Sequence, residues 1–176
     1  ERGYRGYPPQ TELGAATEML LRNEYGNTLV KRLPVTKLNF TAAELYAMFG
    51  VDPTNPPFGR YHRHELVIRS TVVLPDAGTY KFKYQQDTSC DENNTAWRMS
   101  SRRRHSKVMI RVAGGVQHAQ IDRYTGSAEL EVSHVAAAPG TTTFEVSALM
   151  HYDGVDSKAT LPNFLAVEVK HEDMLH

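Results

Sequence analysis

Three groups of side chains in this sequence have types and spacings that could do chemistry. The first lies in Tyr61-His62-Arg63-His64-Glu65. On a strand, residues two apart share a face, so His62 and His64 would set two imidazoles side by side as part of a metal site. Spacing identifies no further ligand to complete a coordination shell, and a metal-free pair of strand histidines is the plainer reading. The second group is a basic run of Arg98, Arg102, Arg103, Arg104, His105 and Lys107. Guanidinium forks recognise carboxylates, sulfates and phosphates, so the run suits an acidic glycan, a nucleic acid or an acidic neighbouring subunit. Asp87, Asp91 and Glu92 lie close by in sequence and would balance it in an ordinary solvated loop. The third is Asp153-Gly154-Val155-Asp156, where paired carboxylates could join a calcium site. Calcium needs more oxygen donors than this loop offers, so a simple turn is the expectation.

Other chemistry is missing. No Gly-x-Ser-x-Gly elbow is present, so the common hydrolase nucleophile is absent. The single cysteine, Cys90, precedes Asp91 and Glu92, and acidic neighbours disfavour a reactive thiolate. One cysteine also excludes an intrachain disulfide. Glycosidase carboxylate pairs meet only in space, so sequence does not reveal them. Asn39-Phe40-Thr41 and Asn93-Asn94-Thr95 match the glycosylation pattern, which short sequences often do by chance. The expectation is a non-enzymatic protein with no cofactor.

The elements that would position these groups divide near residue 58. Residues 1–58 read as an N-terminal arm with short helices, and residues 59–176 as a β-sandwich. The opening ERGYRGYPPQ is polar and rich in Gly and Pro, too poor in apolar surface to fold alone. Its Tyr4 and Tyr7 are amphipathic anchors of the kind interfaces favour. The start at Glu1 rather than Met suggests a processed or trimmed end. Residues 15–25, with Ala15, Ala16, Met19, Leu20 and Leu21, read as a helix stopped by Gly26. A second helix is expected over 42–49, because Thr41 and Glu44 form a Thr-x-x-Glu capping box and Gly50 follows. Asp52-Pro53-Thr54-Asn55-Pro56-Pro57 is a breaker.

From about residue 60 the apolar period becomes two. Leu66, Ile68, Val72 and Leu74 share a phase, as do Tyr80, Phe82 and Tyr84. Val108 with Ile110, Leu130, Phe144 with Val146, and Val167 continue it, with Pro and Gly turns between the runs. Several short alternating strands separated by turn signals specify an antiparallel sandwich. No helical pattern separates them, which excludes a parallel α/β sheet.

Three stretches, STVVLPDAGTYKFKYQQD, TGSAELEVSHVAAAPGTTTFEVSALMHYDG and LPNFLAVEVK, carry a resemblance. A strand ending at Leu-Pro, then Gly-Thr-Tyr and an alternating strand, resembles the jelly-roll modules of bacteriophage fibres and capsid decoration proteins. The closing Leu-x-Val-x-Val strand is similar to theirs as well. The resemblance spans residues 66–170 and implies a jelly-roll-like sandwich on a virion surface.

Lys plus Arg and Asp plus Glu both number 20, giving zero net charge. Nucleic acid is therefore not an expected partner, and an acidic protein neighbour suits the basic run better. Apolar runs of a few residues give no membrane span. Two functional readings follow. The first is a virion structural protein that attaches through its arm and works as a homotrimer or as lattice copies beside other virion proteins, with a host-surface glycan as a further partner. The second is a carbohydrate-binding or adhesion module of a secreted protein. It would want an exposed aromatic row, for which Tyr80, Phe82 and Tyr84 are the candidates, although a core-facing stripe explains them more simply. Both readings place the chain on a virion surface or outside the cell.

Overall fold

The computed structural model describes residues 17–23, 28–50, 63–87, 106–122, 127–151, 162 and 164–172. These form β1 (Glu18–Asn23), β2 (Thr28–Pro34), β3 (Asn39–Thr41), α1 (Ala42–Phe49), β4 (Arg63–Leu74), β5 (Gly78–Asp87), β6 (Lys107–Val112), β7 (Gly115–Gln120), β8 (Ala128–Ala136), β9 (Gly140–His151) and β10 (Phe164–His171). The larger sheet has the order β2-β1-β4-β9-β6-β7, and the smaller has β3-β10-β5-β8. Every pairing is antiparallel. The fold is an antiparallel β-sandwich, as the period-two pattern requires.

Alternation does the sorting. Along β5 the burial pattern switches at each residue, with Tyr80, Phe82, Tyr84 and Gln86 turned inward. Val108, Ile110 and Val112 of β6 and Leu165, Val167 and Val169 of β10 do the same. Phe82 of the smaller sheet meets Phe144 of the larger with ring centroids 5.7 Å apart. The thirteen inward residues that the pattern singles out, from Leu66 to Val167, are all in this core. Tyr80, at the start of β5, accepts a hydrogen bond from the Asp76 N–H at 3.1 Å and donates to the Asp76 carbonyl at 2.9 Å. His171 packs edge-on against Tyr80 at 4.6 Å and donates from Nε2 to the Ala77 carbonyl at 2.8 Å. Together they pin the end of β10 to the turn between β4 and β5.

The expected helix over 15–25 is not formed: residues 18–23 are strand β1. Met19 and Leu21 lie opposite Ile68 and Leu66 of β4 and point into the core. Leu20 is fully buried on the other face. A strand flanked by neighbours and buried on both faces reads as a continuous apolar run, which sequence alone does not separate from a helix segment. The boundary near residue 58 does not divide the described fold either. β1 and β2 belong to the larger sheet, β3 pairs with β10, and Val35, Leu38, Phe40, Leu45 and Phe49 all reach the core. Thr17 reinforces this join, since its hydroxyl is 2.7 Å from that of Ser70 in β4 and both side chains are buried.

The second helix forms as the capping box dictates. The Thr41 hydroxyl accepts from the Glu44 N–H at 3.2 Å, and the Glu44 carboxylate accepts from the Thr41 N–H at 3.0 Å. Gly50 closes the helix in the left-handed region at φ 65° and donates its N–H to the Ala47 carbonyl. A Cβ would be strained there. Lys37 also pairs with Glu44. The Lys37 ammonium, and after it the Thr41 N–H, hold the Glu44 carboxyl below its ordinary pKa. A carboxyl depressed in the folded state stabilises the fold above its unfolded pKa and stops doing so as pH falls through the folded one. Glu44→Gln is therefore expected to lower the melting temperature at neutral pH. The deficit should shrink on acidification below the usual carboxylate range. Equal deficits at neutral pH and at about pH 3 would show that the charge of Glu44 contributes nothing.

Candidate ligand-binding groove

The residues opposite in phase to the core form the outer face of the larger sheet. Neighbouring strands lie about 4.8 Å apart, so register fixes which outward side chains become neighbours. Glu18 of β1 is opposite Arg69 of β4, Arg69 is opposite Glu145 of β9, and Glu145 is opposite Arg111 of β6. The result is a row of alternating charge across four adjacent strands. Arg69 is its centre, with Nε 2.6 Å from one oxygen of Glu145 and Nη1 3.9 Å from Glu18. Glu18 also meets Arg32 of β2 at 3.5 Å. In the next row toward the β6–β7 end, Thr71 is opposite Thr143.

These two rows line an open groove of about 380 Å³. Its walls are Glu18, Arg69, Thr71, Arg111, Thr143 and Glu145, and Ala113 also lines it. Ala113 sits in the tight turn between β6 and β7 at φ 48°, a left-handed conformation uncommon for a residue with a side chain. Its N–H donates to the Thr143 carbonyl at 3.2 Å, which holds the turn against β9. On the other side, the buried Leu20 and Val67 separate the groove from Glu65. Glu65 accepts from the Ser147 hydroxyl at 2.5 Å and meets Arg22 at 3.4 Å.

The groove therefore presents guanidinium donors, carboxylate acceptors and hydroxyls that serve as either. Both groove carboxylates engage Arg69, which suits them to act as fixed acceptors. The outer face of the smaller sheet differs, because its charges largely answer one another. Lys81 lies 3.2 Å from Glu172 and 3.6 Å from Glu131, and Lys83 lies 3.2 Å from Glu129. The Glu172 hydrogen bond, followed by the charge of Glu131, raises the Lys81 ammonium above its ordinary pKa.

The site residues read from sequence are mostly elsewhere. Tyr4, Tyr7, His62, Cys90, Arg98, Arg102, Arg103, Arg104, Asp153 and Asp156 lie outside the described residues. His64 lies in β4, where its backbone pairs with Met150 and Asn23. Lys107 opens β6 as an exposed residue two rows from Arg111 on the same face. Among the described residues no cluster of three or more His, Cys, Asp or Glu could hold a metal. No helix among them is long and apolar enough to cross a membrane. Tyr80, Phe82 and Tyr84 are buried core residues and offer no sugar-stacking platform. Burial also pushes the Tyr84 hydroxyl pKa up strongly, and that hydroxyl donates to Gln86 at 2.7 Å. Sequence reasoning missed the groove. Alternation does mark Arg69, Arg111 and Glu145 as outward-facing, but only the register shows that they form one row.

No family model matches the chain, and no curated protein matches it. Solved structures do. The β-glucosidase from Kluyveromyces marxianus in complex with glucose is similar over 93% of this chain and 19% of that chain, with 11% identity and a TM-score of 0.54. The PA14 domain of the MpAFP antifreeze protein is similar over 91% of this chain and 84% of that chain, with 11% identity and a TM-score of 0.53. Identities this low establish a shared fold and nothing finer, since one fold hosts many functions. The chain thus has the two-sheet sandwich architecture of a PA14 domain, and spans about a fifth of the β-glucosidase. The resemblance to bacteriophage modules draws no support from these structures.

Proposed function

We propose that this chain is a non-enzymatic carbohydrate-binding module of a larger extracellular protein. The observation that carries the reading is the groove across the larger sheet, where Arg69 is fixed between Glu145 and Glu18 beside the hydroxyls of Thr71 and Thr143. Alternating donors and acceptors on a rigid sheet match the hydroxyls of a sugar, each of which both donates and accepts. A site built on strands also holds its groups more precisely than one built on loops. The likeness to part of a glucose-bound β-glucosidase and to a PA14 domain accords with a module of this kind. The virion-surface reading has no observation among the described residues that favours it over this one.

Phe164 is the one phenylalanine, tyrosine or tryptophan ring exposed among the described residues, and it is on the smaller sheet. Binding in the groove therefore rests on hydrogen bonds and is weak for a single sugar. The test is retention of the purified chain on a panel of immobilised glycans, with titration calorimetry on those retained. Arg69→Ala should reduce affinity at least about tenfold, the effect of losing a charged hydrogen bond, while circular dichroism stays that of the parent. Retention on no glycan, or equal affinity in Arg69→Ala, would refute the proposal.

A further inference from the structure

The charge row across the groove is not closed. Glu145 lies directly between Arg69 and Arg111 in register, yet its carboxylate is drawn to Arg69 at 2.6 Å. Arg111 is left exposed on the groove wall with the Met109 sulfur as its neighbour at 4.0 Å, and it joins no ion pair among the described residues. The four charges Glu18, Arg32, Arg69 and Glu145 form a balanced, interlinked set. Arg111 is the surplus cation at one end of it.

We propose that Arg111 selects glycans bearing a carboxylate, that is, uronic acid residues, within the groove. This rests on the carbohydrate reading above and names the sugar class. The sugar hydroxyls lie along Arg69, Glu145, Thr71 and Thr143, and the uronate carboxylate continues the alternation that Glu145 interrupts. A planar carboxylate takes two parallel N–H donors from one guanidinium fork. A sulfate ester can take the same two donors, which makes a sulfated galactan the direct competitor for this position. Repulsion from Glu145 is limited, because that carboxylate is already held by Arg69.

The probes are oligomers of polygalacturonate, alginate and glucuronan, each titrated beside its methyl ester, with a sulfated galactan and a neutral glucan as comparisons. The variants are Arg111→Gln and, as a charge control on the same face outside the groove wall, Lys107→Gln. The parent protein should bind at least one acidic oligomer about tenfold more tightly than its ester, as a charged hydrogen bond implies. Arg111→Gln should remove that preference, bringing each acidic oligomer to the affinity of its own ester, and Lys107→Gln should keep it. Equal affinity for acid and ester, preference for the sulfated polymer, or an undiminished preference in Arg111→Gln would overturn the inference. Binding to the neutral glucan with no acidic preference sinks this inference alone. Binding to no glycan sinks the carbohydrate reading with it.

Discussion

A chain beginning at residue 59 is expected to lose cooperative unfolding altogether. The deletion takes away β1, an interior strand of the larger sheet, and exposes the edge of β4 from His64 to Arg69. It also strips Met19, Leu21, Val35, Leu38, Phe40, Leu45 and Phe49 from the core. Each buried apolar side chain contributes about 1.5–3 kcal/mol, so the loss is roughly 10–20 kcal/mol against a typical total stability of about 5–15 kcal/mol. Calorimetry and dye binding on the truncated chain would check this. A sharp thermal transition without exposed apolar surface would show that the later strands suffice by themselves.

The second large effect is expected at Phe82. Its ring is fully buried in β5, lies against Phe144 across the sandwich, and meets His134 edge-on with centroids 6.3 Å apart. Phe82→Ala removes a contact between the two sheets at the centre of the core. Buried Phe-to-Ala changes cost about 3–5 kcal/mol, and the surrounding strands are too constrained by their register to collapse into the space. Denaturant titration should show a lower midpoint with an unchanged slope. A loss under about 1 kcal/mol would mean that the site refills by repacking, as deformable sites do.

What could be read in the sequence depended on how local its cause was. The capping box at Thr41 and Glu44 was legible because its partners are three residues apart and the helix follows directly. The inward phase of β4, β5, β6 and β8 to β10 was legible because alternation is also a local signal. β1 was not. Met19 and Leu21 face the core beside β4, which is some forty residues away in sequence, and Leu20 is buried on the opposite face, so the run carries no alternation. The groove was hidden for the same reason. Glu18, Arg69, Arg111 and Glu145 come from four separate strands, and a shift of one residue in any pairing would turn the side chain away.

The placement of β10 fixes when this domain can become complete during synthesis. β10 pairs with β3 on one side and with β5 on the other, so it is the bridge that joins them in the smaller sheet. Until residues 164–171 have emerged, β3 and β5 have no common neighbour, and Phe40, Phe82 and Tyr84 lack the cover of Leu165, Val167 and Val169. A nascent chain can assemble β4 with β9 beforehand, but the smaller sheet is finished last. The pairing of β10 with β3, Leu165 opposite Phe40, also closes a longer loop than its pairing with β5, which makes that contact slow to form. The unfinished domain carries an open, apolar half-sandwich throughout translation, the interval in which such surfaces aggregate or recruit chaperones.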